Sequence, residues 1–207
     1  MSETLASEDR RKLDSDDDAR FYRQPRFVHH TDDAFRARLT DLYYERLPAG
    51  GSLLDLMSSH VSHLPADLEF DRVVGHGMNE AELRENPHLD DFFVRDLNRE
   101  PDLPLDDGSF DAATIAVSAQ YLQYPEAVFA ELRRALRPNG IAIVSFSNRC
   151  FPTKAIRAWR DASMDGRADL VRRYFDAAGG FGENEVIRER PGNDPFYAVV
   201  ARRVAGD

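Results

Sequence analysis

The stretch that decides the fold is LPLDDGSFDAATIAVSAQYLQYPEAVFAELRRALRPNGIAIVSF, residues 103–146. An apolar run begins at Phe110, and a segment with apolar residues at helical spacing, including Val128 and Leu132, follows it. A second run, from Gly140, is apolar on both faces. Strands of this kind, separated by a helix, are typical of a parallel sheet that is covered on both sides. The stretch therefore predicts one strand–helix–strand unit of an α/β domain.

Further patterns extend this unit in both directions along the chain. Upstream, short apolar runs alternate with helical stretches, and Asn79 is placed to open one of the helices. Downstream, two helical stretches precede two strands joined by the turn Pro191–Asn193, which predicts a hairpin. We predict a Rossmann-like, mostly parallel seven-stranded sheet with helices on both faces and an antiparallel C-terminal hairpin strand. The additional strands are expected at residues 52–56, 70–76, 92–97, 184–190 and 194–203.

The first residues differ from the rest in composition. Residues 1–20 are polar and charge-dense, with acidic residues in succession at 16–18, and we expect a mobile acidic tail there. The remainder, residues 21–207, is expected to form a single domain. Near its start, Thr31 is predicted to cap a helix whose apolar residues, such as Phe35 and Leu39, recur at helical spacing.

Composition narrows the classes of partner and compartment. The formal net charge of -10 repels phosphate backbones, so we expect no nucleic-acid partner and favour a small-molecule ligand. No apolar run is long enough to span a bilayer, and the acidic start is unlike a signal peptide, which predicts a cytoplasmic protein with no membrane partner. The single cysteine, Cys150, forms no internal disulfide and is expected to be a small buried side chain. The oligomeric state stays open.

The stretch 103–146 resembles the class I S-adenosylmethionine-dependent methyltransferases, specifically their type 11 group of small-molecule enzymes. The similarity includes the acidic loop before the fourth strand, the pair Phe110-Asp111 that opens the strand, and the turn Leu136–Gly140 after the helix. The antiparallel final hairpin matches the sheet of the same family. This resemblance implies an enzyme that binds S-adenosylmethionine and transfers its methyl group to a small molecule.

The resemblance also assigns cofactor positions at the carboxyl ends of the strands, where open α/β sheets bind ligands. It implies that Asp55 lies near the aminoacyl end of the cofactor, that Asp96 accepts a hydrogen bond from the adenine amino group and that Leu97 covers the adenine ring. Two positions depart from the family pattern: residues 57–60 replace a glycine-rich turn, and residues 77–79 replace an acid that binds the ribose. The cofactor-binding candidates are Asp55, Met57, Ser58, Gly77, Met78, Asn79, Asp96, Leu97, Asn98 and Ser118.

Acceptor-side candidates follow from the same placement. A histidine is a plausible general base because its ordinary pKa lies near neutrality. Packing is an equal alternative for the aromatic residues Tyr121 and Tyr124. The segment at residues 21–30 is expected to roof the pocket, with Arg26 among the roofing residues. Candidate catalytic residues are His29, His30 and Tyr121, and candidate substrate-binding residues are Tyr22, Gln120, Tyr121, Asn148 and Arg149.

Other interpretations compete with this one. His60 and His63, one helical turn apart, offer a metal site that His29, His30 and His76 could join. No tight ligand spacing supports such a site, and we predict no metal. A methyltransferase-like binding or regulatory protein without catalysis is the main alternative function. A nicotinamide-dependent oxidoreductase is disfavoured because no GxGxxG motif follows the first strand.

Overall fold

The computed structural model describes residues 4–206 and contains a seven-stranded sheet in the order β3-β2-β1-β4-β5-β7-β6. The strands are β1 (Ser52–Asp55), β2 (Arg72–Gly77), β3 (Asp91–Val94), β4 (Phe110–Ala116), β5 (Leu136–Phe146), β6 (Glu185–Glu189) and β7 (Phe196–Arg202). The first five strands pair in parallel, whereas β7 is antiparallel to both β5 and β6. The predicted sheet and its terminal hairpin are confirmed.

The helices cover both faces of this sheet. They are α1 (Asp18–Tyr22), α2 (Asp33–Arg46), α3 (Glu80–Arg84), α4 (Pro125–Ala135), α5 (Arg157–Asp161) and α6 (Met164–Ala178), with a 3-10 turn at Ala119–Tyr121. On one face, α2 packs through Phe35, whose ring centre lies 5.0 Å from that of Phe196 in β7. On the other, Phe129 of α4 packs 4.8 Å from Phe175 of α6. No helix within residues 4–206 has the length and apolar character needed to cross a membrane.

Strand order places a crevice at one edge of the sheet. From β1 the chain proceeds outward through β2 and β3, and it then returns to β4 on the other side of β1. The loops after β1 and β4 therefore leave in opposite directions at adjacent strands, which opens a ligand crevice beyond the carboxyl ends of parallel strands.

Helix α2 begins one residue later than the sequence suggests. Asp32 is its N-cap, because the Asp32 side chain accepts a hydrogen bond from the backbone N–H of Phe35 at 2.8 Å. The prediction of Thr31 as the cap was wrong. Asp32 also accepts hydrogen bonds from the backbone of Asn193 and Asp194, so this carboxylate joins the start of α2 to the β6–β7 turn.

The connection between β1 and β2 is irregular. Residues 56–71 contain neither helix nor strand, so His60 and His63 do not share a helical face. Hydrogen bonds fix the segment instead, and one of them runs from the backbone N–H of Ser58 to the carbonyl of His76 at 2.6 Å. The loop after β1 consequently lies directly against the end of β2.

The N-terminal segment is packed against the domain, in contrast to the mobile tail expected over residues 1–20. Leu5 is 3% exposed, and Arg10 forms two hydrogen bonds to the Glu126 carboxylate in α4, at 2.6 and 3.2 Å. The fully buried Lys154 ammonium lies 3.0 Å from Asp14 and 3.2 Å from Asp18. Ion pairs to distant residues thus replace the apolar contacts that the segment lacks. Residues 1–3 of the expected tail lie outside the described residues.

Candidate active site

A cleft of about 280 Å³ opens at the carboxyl ends of β1 to β4, and the N-terminal segment covers it. Its size is close to the lower end for small-molecule sites, about 300 Å³. Of the positions predicted from sequence, those lining it are Tyr22, His29, His30, Asp55, Met57, Ser58, Gly77, Met78, Asn79, Asp96, Leu97, Asn98, Ser118, Tyr121 and Arg149. The expected roofing residue Arg26 also lines the cleft.

Two predicted substrate-binding residues do not line the cleft. Gln120 is 1% exposed, and its side-chain amide donates to the carbonyl of Val117 at 2.8 Å, so the 3-10 turn directs it into the protein. Asn148 is exposed and lies outside the cleft lining. The structure therefore does not bring these two residues to the cleft, because position after a strand does not fix the direction of a side chain in an irregular loop. Cys150, expected to be buried, is half-buried and lines the cleft.

Asp55 ends β1 as a buried carboxylate with hydroxyl partners. It accepts hydrogen bonds from Ser58 Oγ at 2.5 Å and from Thr114 Oγ1 at 3.0 Å, and it is 2% exposed. Burial raises its pKa, which the hydroxyl donors only partly offset. Asp55 therefore fixes the loop that follows β1 at the base of the cleft.

His76 joins the ends of three strands. Its Nδ1 accepts the backbone N–H of Met57 at 3.1 Å, and its Nε2 lies 2.9 Å from the carbonyl of Arg95, just after β3. These contacts require a neutral ring with the proton on Nε2. Burial lowers the pKa of His76 to about 4, in agreement with that state. Sequence reasoning considered this histidine only for a metal site, whereas the structure gives it a structural role.

The loop after β1 adopts a backbone conformation that favours glycine without containing one. Met57 has φ of 59°, in the left-handed region, at the start of the segment where the family has its glycine-rich turn. A non-glycine residue there costs about 1–2 kcal/mol. Met57 is therefore held in a strained conformation at the start of this loop.

Gly77, at the end of β2, has no room for a side chain. A Cβ atom added to it would lie 2.7 Å from the backbone carbonyl oxygen of Ser58. An acid at this position is therefore incompatible with the present loop. The neighbouring Asn79 is 9% exposed and uses its amide to cap α3 and to bond the carbonyls of Tyr22 and Arg23. Asn79 thus fixes the covering segment.

Glu82 is a cleft residue that sequence reasoning missed. Its carboxylate accepts hydrogen bonds from the backbone N–H of Arg26 and from Ser59 Oγ, both at 2.7 Å. The available signal was the pair Asn79 and Glu82, which has capping-box spacing. That pattern indicates a helix start and gives no indication that the acid faces a cavity.

Two polar side chains in the cleft retain hydrogen-bonding capacity. Asp96 is half-buried and its Oδ1 accepts a hydrogen bond from the backbone N–H of Asn98 at 2.9 Å, whereas Oδ2 lies 3.7 Å from Arg99, beyond hydrogen-bond distance. Burial raises the pKa of Asp96. Ser118 is 8% exposed, and its hydroxyl has no hydrogen-bond partner among residues 4–206. A buried hydroxyl without a partner is costly, so a ligand that bonds it gains stability.

An aromatic wall forms the other half of the cleft. The rings of Tyr121 and Phe151 are stacked with centres 6.0 Å apart, and Tyr22 lies 6.5 Å from Tyr121. Burial raises the pKa of Tyr121 to about 12, and it raises the pKa of Tyr22 as well. Both hydroxyls stay protonated near neutral pH, so Tyr121 is unsuited to the role of a base.

The histidines of the cleft are suited to accepting protons. Desolvation lowers the pKa values of His29 and His30 below the usual 6.5, and His63 is lowered to about 4. The His30 ring packs edge-on against Phe151 at 5.0 Å, whereas His29 faces His60 at 5.7 Å. Within residues 4–206 no three histidine, cysteine or acidic side chains are arranged to hold a metal ion.

Solved structures share this architecture. The chain resembles the [4+2]-cyclase SpnF with a TM-score of 0.62 and 20% identity, covering 82% of each chain. It resembles geranyl diphosphate C-methyltransferase from Streptomyces coelicolor A3(2) with a TM-score of 0.60 and 15% identity, covering 90% of this chain and 97% of that one. An S-adenosylmethionine-dependent methyltransferase from Mesorhizobium loti gives 0.55 and 17%, covering 79% and 96%. At these identities the likeness shows the fold.

Part of the sequence also matches a known protein family. Residues 74–144, which run from β2 to β5, match the family model described as a methyltransferase domain. This part of the chain is therefore similar to a methyltransferase domain. No curated protein sequence shows significant similarity to the chain.

S-adenosylmethionine is the methyl donor that this similarity implies, and the cleft contains groups that suit it. The donor has an adenine with an amino group, a ribose and a charged aminoacyl end. Asp96 offers an open carboxylate oxygen, Leu97 an apolar surface and Ser118 an unpartnered hydroxyl. The residues present therefore fit the donor, although residues 77–79 lack the acid that binds the ribose in the family.

Proposed function

We propose that this protein transfers the methyl group of S-adenosylmethionine to a small molecule bound in the same cleft. The observation that carries the proposal is that one cleft at the strand-order reversal contains both Asp96 and Ser118, with free hydrogen-bonding capacity, and an aromatic wall with histidines. The net charge of -10 supports a small acceptor over a nucleic acid. Geranyl diphosphate, bound by one of the structural neighbours, is likewise a small molecule.

The proposed donor contacts lie on the β1–β4 side of the cleft. Asp96 accepts a hydrogen bond from the adenine amino group, Leu97 covers the adenine ring, and the Ser118 hydroxyl forms a hydrogen bond with a polar group of the donor. Asp55 acts by holding the loop at Met57 and Ser58, which borders the aminoacyl end. When bound, the donor supplies an electrophilic methyl group on a positively charged sulfur.

The acceptor side supplies alignment and removal of a proton. A lone pair on an oxygen or nitrogen atom of the acceptor forms the new bond to the methyl carbon, and the electron pair of the broken carbon–sulfur bond stays on sulfur. His30 receives the acceptor proton, because its lowered pKa keeps the ring neutral and Phe151 orients it on the aromatic wall. Tyr22 and Tyr121 exclude water and align the acceptor, which is the main demand of an in-line displacement.

Calorimetric titration with S-adenosylmethionine and S-adenosylhomocysteine tests the donor site. We expect both to bind, and Asp96→Ala to weaken binding by roughly tenfold or more through the loss of a charge-assisted hydrogen bond. Asp91→Ala is the matched control, since this acid of the same strand region is exposed and pairs with the exposed Arg72. Absence of binding at millimolar ligand would refute the proposal and favour the non-catalytic binding protein.

The acceptor is sought by incubating the protein with labelled donor and a metabolite extract. We expect label in a small-molecule fraction, and His30→Gln to reduce the rate of transfer while donor affinity is unchanged. Label confined to RNA or protein would contradict the proposed substrate class.

A further inference from the structure

The acceptor half of the cleft, which is the part beside the aromatic wall, contains one arginine that forms no ion pair with a carboxylate of residues 4–206. Arginines at four positions line the cleft: Arg26, Arg36, Arg95 and Arg149. Arg36 pairs with Asp33, Arg95 lies 3.8 Å from Glu100, and Arg149 is 2.7 Å from Asp194. Within residues 4–206, no carboxylate oxygen lies within the 4.0 Å ion-pair distance of the Arg26 guanidinium.

We infer that the methyl acceptor is an aromatic acid, a planar ring whose carboxylate binds Arg26 while its ring lies along the wall formed by Tyr121 and Phe151. This inference rests on the proposed function, because it names the substrate class of the same site. It is carried by the position of Arg26, by its unused donors and by the flat surfaces beside it.

Ring contacts hold the Arg26 guanidinium in place. Its central carbon lies 4.4 Å from the ring centre of Phe21 and 5.4 Å from that of Phe151. Its Nη2 donates to the carbonyl of Phe21 at 2.9 Å, and its backbone N–H donates to Glu82. A guanidinium has five N–H donors, and the contact with Phe21 uses one N–H of Nη2, so the other N–H of Nη2 can bind a ligand carboxylate together with Nε or Nη1. An immobilised fork of this kind matches a carboxylate.

The acidic side chains near Arg26 are not paired with its guanidinium within residues 4–206. Asp18 lines the cleft but is paired with Lys12 and Lys154. Glu82 keeps its negative charge, but its carboxylate accepts hydrogen bonds from Ser59 and from the backbone N–H of Arg26, and the guanidinium is not among its partners within residues 4–206. A ligand carboxylate can therefore form the ion pair that the Arg26 guanidinium does not make with residues 4–206.

The surrounding rings favour a planar ligand. The ring planes of Tyr121 and Phe151 are 27° from parallel, and His30 meets Phe151 edge-on at 5.0 Å. Aromatic rings gain from offset-stacked and edge-on contacts beyond their area burial. A ring seated here brings its substituents close to His30, the proposed proton acceptor. A phosphorylated ligand fits less well, because a dianion requires a second free cation and the other cleft arginines are paired.

The test compares two probes of equal size and different charge, 4-hydroxybenzoate and 4-hydroxybenzamide. Each is titrated at neutral pH into the full chain, with and without saturating S-adenosylhomocysteine, and binding is followed by calorimetry or ligand-observed NMR. We expect the benzoate to bind about tenfold more tightly than the amide, as for a charge-assisted hydrogen bond. Arg26→Met removes this preference with little effect on the amide, and Arg26→Lys retains part of it.

Control variants separate the charge from other effects. Arg84→Met also removes an arginine beside a ring, 5.9 Å from Phe92, but on the exposed side of α3, and it leaves both affinities unchanged. Phe151→Leu weakens both probes. Circular dichroism verifies that each variant is folded.

Each outcome has a defined meaning. Equal affinities of the two probes for the unmodified protein, an unchanged ratio in Arg26→Met or no binding of either probe would overturn the inference. Failure of S-adenosylhomocysteine to bind would instead refute the proposed function. Because the probes are also titrated without it, the two failures are distinguishable.

Discussion

Arg10→Met is the substitution that tests most directly whether the N-terminal segment packs in solution. Arg10 joins this segment to α4 through two hydrogen bonds to Glu126, at 2.6 and 3.2 Å, and a third to the carbonyl of Gln123 at 2.5 Å. The two side chains are only 9% and 12% exposed. Methionine keeps most of the side-chain length but removes the charge and the donors.

The expected loss of stability follows from the burial of the pair. Breaking a buried ion pair costs about 3–5 kcal/mol, since it leaves the partner charge uncompensated. Because Glu126 retains slight exposure, we expect the lower end, about 3 kcal/mol. For a chain of this size each kcal/mol lowers the melting temperature by roughly 2–4 °C, so the expected decrease is roughly 6–12 °C.

Urea and thermal unfolding, followed by circular dichroism, measure this change. Arg11→Met is the matched control, because the neighbouring Arg11 is exposed, and we expect a change within about 0.5 kcal/mol. The double variant Arg10→Met with Glu126→Leu removes both charges and recovers most of the lost stability. If Arg10→Met were as stable as the unmodified protein, the segment would be detached in solution and the packing argument would be refuted.

Other predictions concern the loop after β1. Gly77→Ala places a Cβ atom 2.7 Å from the Ser58 carbonyl, and we expect a loss of about 1–3 kcal/mol in urea unfolding; an unchanged midpoint would mean that the loop moves freely. Met57→Gly relieves a φ of 59°, and we expect a gain of about 1 kcal/mol by the same measurement, with a loss counting against the strain. His76 has its pKa lowered from 6.5 to about 4, so below pH 6.5 the unfolded state binds a proton that the folded state does not. Stability should therefore fall by up to about 3 kcal/mol between pH 6.5 and 4, and less steeply in His76→Gln; equal slopes would contradict the assigned neutral state.

The sheet was predictable from the sequence because its signals are local. The apolar runs of β4 and β5 and the helix between them follow each other within residues 103–146, and the two closely spaced strands at the end indicate the antiparallel hairpin. The positions of Asp55 and Asp96 were predictable for the same reason, since each directly follows an apolar run. Parallel strands then bring both acids to one cleft.

The features that escaped prediction depend on distant partners. Arg10 and Glu126 are 116 positions apart, so a charge-dense segment resembled a mobile tail. Capping-box spacing gave no sign that Glu82 faces the cavity. Gln120 turns inward because a 3-10 turn directs its amide to a backbone carbonyl. The raised pKa of Tyr121 depends on burial, which exists only after the chain has folded.

The buried Lys154 has a practical consequence for protein engineering. This residue, late in the chain, holds Asp14 and Asp18, and the residues that follow them supply Tyr22 and Arg26 to the cleft. A shortened version that starts at residue 21 would delete both acids, strand an ammonium group in the interior and free one side of the cavity. Such a truncation would therefore affect ligand affinity as well as solubility, and purification tags are better attached at the opposite terminus.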